Sequence, residues 1–155
     1  MKFVADAMVG RLAKWLRLLG FDVFYYPEID DKQVLKIARE QDRTILTRDT
    51  GLLKHRGLKD PIFIRSDKVL CQLIEIKDRV NFLNADPVGR CALCNGKLSR
   101  VTRKEDVRTL VPDFVYHNFQ DFTRCGGCGK IYWEGSHYRK FKEQVRELLK
   151  REHED

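Results

Sequence analysis

No apolar run in this sequence approaches the roughly 20 residues that a membrane-spanning helix needs. A reading as an integral helical membrane protein is therefore excluded. There is no internal repeat and no low-complexity segment. The start of the chain lacks the apolar stretch of a signal peptide, because Met1-Lys2-Phe3-Val4-Ala5 runs straight into Asp6. A cytoplasmic protein is expected. Cysteine is scarce, with five in 155 residues, and four of them fall in two C-x-x-C pairs. In a cytoplasmic chain that pattern argues against a disulfide framework and for a metal site. Acidic side chains are in deficit, 23 against 30 Lys and Arg.

What is present suffices for a folded protein. Hydrophobic residues make up 43% of the chain, enough for a core and too many for disorder. The length fits one domain or one domain with a small appendage. The net charge of +7 is spread along the chain, with 16 basic and 13 acidic side chains in residues 1–87 and 14 and 10 in the rest. Such a surplus suits a polyanionic partner such as RNA, and equally a surface kept charged for solubility.

Two strand-to-acid junctions organise the first part. Lys2–Ala5 reads as a strand ending at Asp6. Thr44-Ile45-Leu46-Thr47 reads as another, breaking at Arg48-Asp49 before Gly51. Between them, Met8, Leu12, Trp15, Leu16 and Leu19 follow helical spacing. Arg11, Lys14 and Arg17 fall on another face, and Gly20 stops the helix. Phe21–Tyr25 is a second strand, ended by Pro27. A second helix carries Val34, Leu35, Ile37 and Ala38, with Asp30 or Asp31 as its cap. Leu52–Lys59 is a basic segment. Pro61–Ile64 is a fourth strand. Ser66 or Asp67 starts a third helix bearing Val69, Leu70, Leu73 and Ile74, with Cys71 expected in the core.

Strands alternating with helices imply a mostly parallel sheet with right-handed crossovers. A doubly wound order puts the first strand beside both the second and the third. The connections then reverse between the first and third strands, and ligands bind beyond the carboxyl ends there. Asp6 and Asp49 occupy those two ends, and Asp30 and Asp31 open onto the same rim. The expected fold is α/β, with three parts: a sheet domain over 1–86, a zinc ribbon over 87–135 and an amphipathic helix over 136–155. That last helix carries Phe141, Val145, Leu148 and Leu149 on one stripe.

Cys91-Ala92-Leu93-Cys94 and Cys125-Gly126-Gly127-Cys128 each let two thiolates reach one ion. Together they make a closed tetrahedral Zn²⁺ site with a structural role. Tyr132, Trp133, His137 and Arg139 lie close by in sequence. They are placed to stack on bases and touch phosphates; the alternative for Tyr132 and Trp133 is to pack the ribbon against the main domain.

Three or four clustered acids can hold one or two Mg²⁺ or Mn²⁺ ions, which prefer oxygen ligands and complete their shells with phosphate. That chemistry suits phosphodiester hydrolysis. Asp6, Asp30, Asp31, Asp49 and Asp67 are the candidates, and each has an alternative as a helix cap or turn residue. Arg11, Lys14 and Arg48 are placed to meet phosphates. Thr47 and Ser66 are candidates for orienting the ligands.

The sequence resembles the PIN-like ribonuclease family named for the C-terminal domain of the Mut-seven exonuclease. The resemblance rests on Asp6-Ala7-Met8-Val9-Gly10-Arg11-Leu12-Ala13-Lys14-Trp15-Leu16-Arg17-Leu18-Leu19-Gly20-Phe21-Asp22, on Asp31 before Leu35 and Ala38, and on Leu46-Thr47-Arg48-Asp49. It continues through Arg90-Cys91-Ala92-Leu93-Cys94-Asn95 and Cys128-Gly129-Lys130-Ile131-Tyr132-Trp133-Glu134-Gly135-Ser136-His137-Tyr138. It implies a PIN-type fold with a zinc ribbon, and metal-dependent RNA cleavage. Asp6, Asp31 and Asp49 match the acidic positions, while a fourth acid has no clear match, leaving Asp30 and Asp67 open. The alternative is a non-catalytic RNA- or ribosome-binding module that keeps the fold.

Overall fold

The computed structural model describes residues 1–150, apart from the side chains of Asn84 and Leu149. Two compact units are present, residues 1–95 and residues 96 onward. The first contains β1 (Lys2–Ala5), α1 (Gly10–Leu18), β2 (Asp22–Phe24), α2 (Asp31–Glu40), β3 (Thr44–Thr47), β4 (Ile62–Phe63) and α3 (Val69–Ile76). Its four strands form a parallel sheet in the order β2-β1-β3-β4. This is the doubly wound order expected from the alternation of elements. Phe3 pairs with Val23 on one side and Thr44 on the other, so β1 is central.

Both faces of the sheet are covered, which is why β1 and β3 are buried on successive residues rather than alternately. Val4 and Ile45 form one cluster with Ile29, Val34, Leu35, Ala38 and Leu52. Burying each large aliphatic side chain there contributes about 1.5–3 kcal/mol. Asp30 caps α2 through a reciprocal pair. Its Oδ1 accepts from Gln33 N at 2.8 Å, and Gln33 Oε1 accepts from Asp30 N at 3.1 Å.

Several side chains depart from the helical-wheel reading. Met8 is exposed, because residues 7–9 form a 3₁₀ turn and α1 begins only at Gly10. Arg17, placed off the apolar face, is buried. Its guanidinium donates to the carbonyls of Val23, Tyr25 and Ala92, each at 2.9 Å. Burial pulls its pKa below the usual arginine value, against the opposing charges of Cys91, Cys94, Tyr25 and Asp22. Cys71, expected in the core, is exposed on α3, whose buried residues are Gln72, Leu73 and Ile76.

Gly20 ends α1 with φ of +106°, and a Cβ there would collide with the backbone of Asp86. A polar network ties Asp22 to its surroundings. Its Oδ1 accepts from Arg43 Nη1 and from Asn95 Nδ2, each at 2.7 Å. Partial burial pushes the Asp22 carboxyl up, but those bonds and the charges of Arg43 and Arg90 outweigh it. The group titrates below its ordinary value.

The second unit contains β5 (Leu98–Arg100), α4 (Asp113–Asn118), β6 (Phe122–Cys125), β7 (Ile131–Trp133) and α5 (Ser136–Lys150). Its strands form an antiparallel sheet, β5-β6-β7. Val107, Val111, Phe122 and Ile131 make its core, with Trp133 and Tyr116 packed against them. In α5, Val145 is buried and Phe141 and Leu148 are half-buried. The Leu149 side chain and residues 151–155 of the expected terminal helix lie outside the described residues.

Candidate active site and cysteine cluster

The sheet order carries the ends of β1 and β3 to one rim. Asp6 follows β1, and its backbone N–H donates to Leu46 O at 3.1 Å, continuing the ladder. Its side chain is buried, with 3% of the residue exposed. Oδ1 accepts from Met8 N at 2.8 Å and so caps the 3₁₀ turn of residues 7–9. Oδ2 accepts from the Thr47 hydroxyl and from Arg48 N at 3.0 Å. Capping is therefore one of the contacts that immobilise this carboxylate.

Thr47 joins the two acids. It is fully buried, it donates to Asp6, and its Oγ1 accepts from Asp49 N at 2.8 Å. Asp49 in turn accepts from Gly51 N at 2.8 Å through Oδ1, starting the 3₁₀ turn Thr50–Lys54.

Asp30 holds the cap of α2, so Asp31 is the first helical residue and its carboxyl meets Asp49. Its pKa is raised by partial desolvation, by a hydrogen bond with Asp49, and by the charges of Asp49, Asp6 and Asp30. Three acids separated by up to 43 positions in sequence thus share one electrostatic neighbourhood.

Asp67 is not drawn in. It is exposed, Lys68 occupies the N-cap of α3, and no hydrogen bond or ion pair joins Asp67 to the three acids among the described residues. Ser66 is used locally, its Oγ accepting from Lys68 N at 3.2 Å.

Arg11 and Lys14 are exposed on α1. Arg48 is half-buried beside the site, its Nη2 donating to Arg65 O at 3.3 Å. Its Nε is buried without a hydrogen-bond partner. Glu75, which sequence reasoning missed, clamps the loop after β4 by accepting from Arg65 N at 2.8 Å and Ser66 N at 2.7 Å. Nothing in its helical pattern signals that contact. The burial of Arg17 had a signal, since it lies four residues after Ala13 on the covered side of α1.

The sulfurs of Cys91, Cys94, Cys125 and Cys128 all lie within 4.8 Å of one another. No other group of three or more His, Cys, Asp or Glu meets that spacing among the described residues, so the aspartates form a looser set. The two knuckles are built alike. Asn95 N donates to Cys91 O at 2.9 Å and Gly129 N to Cys125 O at 3.0 Å. Both residues are left-handed, with φ of 69° and 79°. Gly127 N and Cys128 N donate to Cys125 Sγ at 3.3 and 3.4 Å, as expected around a thiolate. The donor set fits Zn²⁺.

Of the residues expected to touch RNA from the ribbon, Trp133 is half-buried with its ring tilted on Phe122 at 6.4 Å. Tyr132 is half-buried with Lys130 over its ring at 5.2 Å. His137 and Arg139 are exposed.

A family model described as the Mut7-C RNAse domain matches residues 1–145. The chain belongs to the Mut7-C RNase domain family. Membership makes it a ribonuclease-type domain with RNA as the class of substrate. No curated protein and no solved structure matches it. No helix among the described residues is long and apolar enough to cross a membrane.

Proposed function

We propose that this Mut7-C domain is a divalent-metal-dependent ribonuclease of the PIN type, with Asp6, Asp31 and Asp49 as the Mg²⁺ or Mn²⁺ ligands. The observation that carries the reading is the link of Asp6 through Thr47 to Asp49 at one sheet rim, with the pKa of Asp31 raised by the neighbouring Asp49 and Asp6. Like charges held together at a sheet rim cost free energy unless a proton or a cation joins them. Oxygen donors of this kind suit a hard ion.

The division of labour follows from the hydrogen bonds. Asp6 is fixed by three donors and supplies a rigid ligand. Thr47 sets Asp6 and the Asp49 backbone relative to each other. Asp31 and Asp49, whose charges act on each other, are less tightly held than Asp6 and close on the ion. When bound, such an ion supplies charge neutralisation at the phosphate and eases deprotonation of an attacking water.

Arg48 lies next to the acids, its backbone N–H on Asp6, and its half-buried guanidinium holds a phosphate oxygen of the substrate. Arg11 and Lys14 contact the flanking backbone. The four cysteines hold a structural Zn²⁺, with no ligand position left for a substrate water. His137 and Arg139 are the ribbon residues best exposed to add grip on RNA.

The test is cleavage of single-stranded and structured RNA with Mn²⁺ or with EDTA. Activity that requires the metal and disappears in Asp6→Asn plus Asp49→Asn supports the reading. Activity unchanged by that double substitution sinks it. Salt-sensitive RNA binding without turnover in the wild type favours a non-catalytic module instead.

A further inference from the structure

One face of α2 carries a line of cations that the active-site reading does not use. Lys32, Lys36 and Arg39 are all exposed. At about 100° per residue they fall within about 60° of the helix circumference. They line a shallow open depression whose other walls are Leu35 and Glu40. Arg39 Nη2 donates to Arg56 O at 3.3 Å, which brings a further exposed basic residue to the far end of the line. The acid that follows the helix, Asp42, is already matched by Lys59 at 2.8 Å.

The near end of the line is fixed by the fold. Lys32 follows Asp31, about 100° round the helix from it, so the stripe begins within one turn of the acid cluster and runs away from it along the helix. From Asp31 to Arg39 is eight residues, about 12 Å of helix axis. That span covers about three phosphates of a stacked strand at about 3.4 Å each. The geometry suits a linear polyanion that enters the acid site at one end. A compact anion would need the cations to converge, and these are strung out.

We propose that the α2 stripe of Lys32, Lys36 and Arg39 is the track that holds the phosphates of the RNA strand flanking the cleaved bond. This rests on the ribonuclease reading above. The track sets affinity and preference for substrate length. The chemistry stays with the acids.

The test is binding of a labelled single-stranded RNA of about 20 nucleotides, measured by fluorescence anisotropy between about 50 and 200 mM salt. Asp49→Asn is the background in which cleavage is silenced. Adding Lys32→Gln, Lys36→Gln and Arg39→Gln removes three phosphate contacts, so the slope of log K against log salt becomes shallower by about 2. At 0.1 M salt the affinity falls about 100-fold.

In the Asp49 protein, the same three changes raise KM for the long RNA and leave turnover of a dinucleotide substrate unchanged. A slope and a KM equal to those of the parent overturn the track. If the wild type cleaves no RNA with Mn²⁺, the nuclease reading has failed. If it cleaves and only the slope is unmoved, the track alone has failed.

Discussion

Replacing Thr47 by valine probes the joint between the two strand-end acids. Valine fills the same buried volume, so the change removes chemistry and leaves shape. Two interactions go. The hydroxyl no longer donates to the Asp6 carboxylate, a charge-assisted bond worth about 1.5–3 kcal/mol. The Asp49 N–H loses its acceptor at 2.8 Å, and a part-buried orphan donor costs about 1 kcal/mol. Burying a methyl in place of a hydroxyl returns about 1 kcal/mol.

The net loss is about 1.5–3 kcal/mol. For a chain of this size that lowers Tm by about 3–12 °C. Cleavage supported by Mn²⁺ falls about 10- to 100-fold, the usual cost of losing a group that orients metal ligands. Thr47→Ser keeps the hydroxyl and gives up about one methyl, near 0.8 kcal/mol, so it retains most of the activity. Thermal melting by circular dichroism and a cleavage assay read both effects. A valine variant that melts within about 1 °C of wild type and cleaves as well refutes the proposed coupling of Asp6 to Asp49.

Asp31→Asn separates stability from activity. A carboxyl whose folded pKa is raised carries no penalty below its unfolded value and the full penalty once pH exceeds the folded value. At pH 7 without metal the amide variant therefore melts at or slightly above wild type, by up to about 2 °C for an exposed group, while cleavage is lost. A clear drop in metal-free Tm contradicts the repulsion.

Asp22→Asn tests the opposite sign, because that carboxyl is depressed by Arg43 and Asn95. Its stabilisation, about 2 kcal/mol, is present above the unfolded pKa and vanishes as pH falls through the folded one. The Tm gap between variant and wild type should close in strong acid. Gly20→Ala forces a Cβ into the Asp86 backbone at positive φ and should cost about 3 kcal/mol or more by chemical denaturation. Metal analysis of purified protein should give one zinc per chain, and Cys125→Ala should abolish it.

The sequence by itself determined the strand and helix order of the first 76 residues, because their hydrophobic periods are local and clean. It also determined the cysteine pairs, since a two-residue spacing places both sulfurs on one turn. It singled out Asp6 and Asp49 because each ends an apolar run. Which of Asp30 and Asp31 caps α2 it left open, and the reciprocal pair of Asp30 with Gln33 decided that. Helical periodicity put Arg17 off the apolar face, and the three backbone carbonyls that its buried guanidinium serves are a tertiary contact that no local pattern shows. Cys71 was put inside for the same reason, although α3 turns Gln72 inward instead. Contacts across dozens of residues, such as Thr47 with Asp6 or Glu75 with the loop after β4, were decided by the tertiary structure alone. They depend on strand order and register, which bring together groups that no local pattern relates.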